Sequence, residues 1–81
     1  MTHYLVELYL SRVAAGDLSA VAGRAREAVE GTELRYLRTI YLPEDEVCFH
    51  HFDGESEPAL VGSLEAGSVR FERVMRAVVR P

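Results

Sequence analysis

Leu34-Arg35-Tyr36-Leu37-Arg38-Thr39-Ile40-Tyr41-Leu42-Pro43-Glu44-Asp45-Glu46-Val47-Cys48-Phe49-His50-His51-Phe52 is the stretch that decides the fold. Its two flanks are rich in β-branched and aromatic residues, and the polar Pro43–Glu46 segment between them has the composition of a tight turn. The stretch therefore predicts an antiparallel hairpin of strands 34–42 and 47–52. Upstream the period is helical: Leu18, Val21, Ala22, Ala25 and Val29 form one apolar stripe. Asp17 is its N-cap and Gly31 its stop. Before that helix, residues 4–10 alternate as a strand, with Tyr4, Val6, Leu8 and Leu10 on one face and His3, Leu5, Glu7 and Tyr9 on the other. Downstream, Ser56 caps a second helix that tolerates Pro58 in its first turn, carries Leu60, Val61 and Leu64, and stops at Gly67. Residues 71–79 close the pattern as a fourth strand.

The order β-α-β-β-α-β in residues 1–81 is that of a single ferredoxin-like α+β domain. It implies a four-stranded antiparallel sheet with both helices on one face and the first and third strands in the centre. Two helices cover one side of a sheet, yet these strands carry apolar residues on both. The uncovered face is expected to include some of Leu5, Tyr9, Tyr36, Ile40, Cys48 and Phe52. Soluble monomers seldom leave so large a patch in water. A two-fold homodimer with its open sheet faces stacked, a dimeric α+β barrel, is the expected remedy.

The chain has 81 residues, 13 acidic against 9 basic, and a net charge of −4. That balance gives no basic surface for a nucleic-acid backbone. No apolar run approaches the ~20 residues of a membrane span, and the amino terminus has no signal-peptide pattern. Cys48 is the only cysteine, which excludes an internal disulfide and fits a cytoplasmic location.

The 34–49 stretch, together with Tyr4-Leu5-Val6-Glu7 and Arg70-Phe71-Glu72-Arg73-Val74, resembles a small actinobacterial family of unknown function. That family includes a nickel-binding protein with a dimeric ferredoxin-like α+β barrel. The resemblance covers most of the chain and implies the same fold, a homodimer and a divalent metal. It also marks a departure: the nickel-binding branch has a histidine in the second strand where this chain has Arg38. A guanidinium there repels a divalent cation, so the fold carries over more safely than the metal.

The polar residues within the strands are the candidates for chemistry. His50 and His51 are adjacent in a strand and point to opposite faces. Parity with Cys48 and Phe52 places His50 on the open face, beside Glu7 of the first strand and Arg38 of the second. Glu7, Tyr9, Tyr36, Arg38 and His50 then line a ligand cavity between the facing sheets. His50 and Glu7 are the candidate donors to nickel or zinc, with Cys48 a further thiolate. The plainer reading of the same residues is a structural Glu7–Arg38 ion pair and a hydrogen-bonded interface histidine, because charges within a sheet persist mainly when paired. His3 is expected to be exposed and frayed, Cys48 to be a small core hydrophobe, and Glu44-Asp45-Glu46 to be a solvated turn. The functional expectation is a small-ligand or metal-binding dimer. The alternative is a cofactor-free oxygenase or cyclase acting on an aromatic substrate, with His50 as acid or base and Arg38 as oxyanion partner.

Overall fold

The strands β1 (Thr2–Tyr9), β2 (Arg35–Leu42), β3 (Val47–Gly54) and β4 (Arg73–Ala77) pair in the order β2-β3-β1-β4, all antiparallel. This is the ferredoxin-like sheet, with the first and third strands in its centre. The computed structural model describes residues 2–81. Two helices, α1 (Leu18–Ala28) and α2 (Glu57–Ala66), make the crossovers.

Local chemistry sets the helix ends. The Asp17 carboxylate accepts from the Ala20 amide at 3.2 Å and the Ser56 hydroxyl from the Ala59 amide at 3.2 Å, each satisfying a first-turn donor. α1 ends as the Val29 amide bonds back to the Arg26 carbonyl and the Glu30 amide to the Glu27 carbonyl, and the chain turns at Gly31, whose φ of 76° suits glycine. α2 ends at Gly67. A Cβ there would lie 2.9 Å from the Ala28 Cβ, so glycine lets this end of α2 close against α1.

Both helices pack on the face of β1 that carries Tyr4 and Val6. Ala25 and Val29 from α1, Leu60 and Leu64 from α2, and Phe52 from β3 complete that core, all buried. Each fully buried large apolar side chain contributes about 1.5–3 kcal/mol. Leu8, Leu10 and Cys48 form a second cluster toward the start of α1. Between β2 and β3 the turn is more than a solvated loop. The Glu46 carboxylate accepts from the Arg12 amide at 2.9 Å, and its carbonyl accepts from the Leu10 amide at 2.9 Å. The hairpin turn thereby holds the exit of β1.

Two expectations about sheet faces are corrected. Cys48 and Phe52 do not lie on the open face: they pair with Leu8 and Tyr4, so they inherit the helix-covered side of β1. Tyr36 is on that side too. A β-bulge between Tyr36 and Arg38 admits one extra residue, Leu37, and resets the alternation of β2. Tyr36 therefore packs edge-on to Phe52, ring centres 5.7 Å apart, whereas Arg38 and Ile40 beyond the bulge face the open side.

Candidate functional site

Register and burial together give the layout of the helix-free face. Reading across β2, β3, β1 and β4, one row holds Arg35, Asp53, His3 and Ala77. The next holds Arg38, His51, Leu5 and Met75, and the third Ile40, Phe49, Glu7 and Arg73. Leu42, Val47 and Tyr9 form the last. The face is thus polar at one end and apolar at the other.

At the polar end two imidazoles form a directed chain. The Arg38 guanidinium lies 3.2 Å from His51 Nδ1, and His51 Nε2 lies 2.9 Å from His3 Nδ1. Guanidinium has only donors, so His51 Nδ1 must be the acceptor. The His51 proton then sits on Nε2 and is donated to His3, whose own proton sits on its Nε2. Burial, then the Arg38 charge and then His3 hold the His51 pKa below the ordinary histidine value, which keeps this neutral arrangement. Beside it Arg35 grips Asp53 through two contacts, 2.7 and 3.3 Å long. The Asp53 carboxyl is almost wholly buried, and its hydrogen bonds to Arg35 pull its pKa below the usual carboxylate value.

The sequence-derived constellation is only partly assembled. Glu7, Tyr9 and Arg38 lie on the open face; Tyr36 and His50 lie on the helix side. His50 sits opposite Val6 and is 1% exposed, with Nδ1 2.8 Å from the Thr39 hydroxyl, itself 2.6 Å from the Tyr36 hydroxyl. The sheet therefore stands between His50 and Glu7, so these two cannot share a metal. It also separates His50 from Arg38, which removes the acid-and-oxyanion pairing. Cys48 is fully buried on the helix side with its pKa raised by burial to about 11, so it is a thiol at neutral pH and neither nucleophile nor ligand partner for Glu7. His3 and His51 were the histidines to pair. The signal is Asp53, a charge at the same parity as His51, whereas the Cys48–His50–Phe52 set carries none.

Glu7 does not pair with Arg38 either. β3 separates their strands, which puts them about 10 Å apart across the sheet. Arg73 on β4 is adjacent instead and meets the Glu7 carboxylate at 2.7 Å. The pair is partly exposed, so a double-mutant cycle of Glu7→Gln and Arg73→Met by denaturant unfolding should give about 0.5 kcal/mol of coupling. The matching cycle with Arg38→Met should show a smaller coupling than the Arg73 cycle. Coupling of Glu7 to Arg38 as large as or larger than its coupling to Arg73 would contradict the pairing.

Among the described residues no three His, Cys, Asp or Glu side chains gather around one point. His3 and His51 spend facing nitrogens on each other, Arg38 occupies the remaining His51 nitrogen, and Asp53 is committed to Arg35. One chain alone therefore does not fit nickel or zinc. Calorimetric titration with nickel is expected to show weak binding that His3→Ala removes. Tight stoichiometric binding that survives His3→Ala would contradict this account of the donors.

No family model, curated protein or solved structure matches this chain. No helix of the described residues is long and apolar enough to cross a membrane.

Proposed function

We propose that the chain acts as a cytoplasmic homodimer, two helix-free sheet faces stacked, holding a small organic ligand at the polar end of the space between them. The observation that carries this reading is the face itself: Ile40 is 46% and Tyr9 52% exposed, beside half-buried Leu5, Phe49 and Met75, with no helix over them. Four strands of this length present a plan area on the order of 500 Å², comparable with the ~800 Å² per partner of a standard interface. The face also carries both signs of charge, Arg35, Arg38 and Arg73 against Glu7 and Asp53, as a self-complementary two-fold contact requires.

At the polar end, Arg38 has guanidinium donors to spare beyond its contact to His51, and His3 offers an imidazole edge. These groups suit an anionic or carbonyl oxygen. Nothing in the same cluster is a nucleophile, which favours binding over covalent catalysis. The experiment is isotope-filtered NOE spectroscopy on mixed labelled and unlabelled protein. Contacts between copies among Leu5, Ile40, Phe49 and Met75 are the expected result, with the His3 and His51 N–H protons exchanging with water. Contacts confined to the helices would refute the interface, and contacts between copies that bury His3 and His51 would refute the ligand space.

A further inference from the structure

The helix-covered side of the sheet contains a feature that the open-face site does not use. A cavity of about 290 Å³ lies between the sheet, the chain leading into α1, α1 itself and the segment that follows α2. Leu8, Leu10 and Val21 give it apolar walls, and Arg24 and Arg70 also line it. Although the chain has 13 acidic and 9 basic residues, the lining holds two arginines and no carboxylate. His50 forms part of the wall. Its Nδ1 is engaged by Thr39, but Nε2 is buried without a hydrogen-bond partner. A buried polar atom left unpaired is costly, and native structures rarely keep one without a use.

We infer that this cavity is a binding site for a small organic carboxylate, with the carboxylate held by Arg24 and Arg70, an apolar body against Leu8, Leu10 and Val21, and a polar group on His50 Nε2. Each part of the assignment has its own physical reason. Both arginines are exposed at the surface, where guanidinium pairs well with a planar carboxylate. Arg70 uses one nitrogen on the Tyr9 carbonyl at 3.2 Å, which fixes the side chain and leaves other donors free. The Tyr36–Thr39–His50 hydrogen-bond chain holds the imidazole in place, and its free nitrogen, which has almost no accessible surface, meets a ligand hydroxyl or carbonyl when the wall side chains give way. The apolar walls supply burial area between these two polar ends. The site lies on the opposite side of the sheet from the proposed dimer face, so it stands independently of dimerisation.

The test uses the intact protein labelled at its histidine ring nitrogens and three probes: 4-hydroxybenzoate, benzoate and the methyl ester of 4-hydroxybenzoate. Millimolar 4-hydroxybenzoate is expected to bind and to move the His50 Nε2 resonance while leaving His51 unmoved. The uncharged ester should bind more than about tenfold more weakly, because the charge paired with both Arg24 and Arg70 is lost. Benzoate should bind without the Nε2 shift. Arg24→Gln, a surface change that leaves the core untouched, should weaken the acid about tenfold and leave the ester unaffected. His50→Leu should abolish the preference for 4-hydroxybenzoate over benzoate. The assignment is overturned if no probe perturbs His50, if only a bound water is found on Nε2, or if Arg24→Gln weakens acid and ester alike.

Discussion

Acidification from pH 6.5 to about 4 is expected to cost this protein on the order of 3 kcal/mol through His50 alone. Burial lowers the His50 pKa from 6.5 to about 4, because the ring sits among Val6, Phe52 and the helices with no carboxylate to favour its charged form. The lining of the adjoining cavity holds no carboxylate that would offset this loss of hydration. Above pH 6.5 the histidine is neutral whether the chain is folded or not, and the full stability is present. As pH falls below 6.5 the unfolded chain takes up a proton that the folded chain refuses, so stability drops. Near pH 4 the folded form protonates too and the loss levels off. His51 acts in the same direction, whereas Asp53, with its depressed pKa, contributes stability that is lost only below the usual carboxylate range. Denaturant unfolding across this window should therefore be much steeper for the wild type than for His50→Leu. Protein concentration must be held constant, because the proposed dimerisation would add to the measured stability. Parallel pH profiles for the two proteins would show that His50 is not buried as described.

A charge placed on the helix-free face is expected to separate the proposed dimer without unfolding the subunit. Ile40 is the position of choice, because it is 46% exposed in the single chain and an aspartate there stays hydrated when the copies part. Between stacked sheets the same carboxylate would be desolvated beside Phe49, its neighbour across the strands. The cost of an uncompensated interface charge is about 3 kcal/mol, roughly a hundredfold in Kd. Leu5→Asp should act in the same way but with some loss of subunit stability, since Leu5 is already half-buried between His51 and Met75. Light scattering should report monomers for Ile40→Asp, with a far-ultraviolet dichroism spectrum like that of the wild type. A stable Ile40→Asp dimer would move the interface elsewhere.

The sequence carried the architecture clearly because its signals were redundant. The period changed from two to 3.6 and back, caps stood at Asp17 and Ser56, and turn residues lay between 43 and 46; the structure has each of these features. Element ends were less legible. β3 runs on to Gly54 through its pairing with Thr2 and His3 of β1, with Arg35 held against Asp53, contacts that no local pattern announces. β4 stops at Ala77, short of the expected Val79, with Val78 87% exposed beyond it.

The candidate site was legible only in part, and the reason is geometric. Alternation tells which residues of a strand share a face, but which face meets the helices is a property of the whole sheet. His50 shares its face with Cys48 and Phe52, as alternation implies, yet that group turns inward through its pairing with Tyr4, Val6 and Leu8. Leu37 then shifted the second half of β2 by one position, and nothing in its side chain marks a bulge. Glu7 within a largely apolar strand needs a cation. Its partner proved to be Arg73, because β4 borders β1 directly while β2 does not.

Sedimentation equilibrium of the wild-type protein tests the central claim most directly. Stacking of two helix-free sheet faces predicts a species of twice the single-chain mass across the micromolar range, dissociating only on dilution. A single-chain mass throughout that range would mean that Ile40, Tyr9 and Phe49 face water in the working protein, and the proposed ligand space between two sheets would not exist.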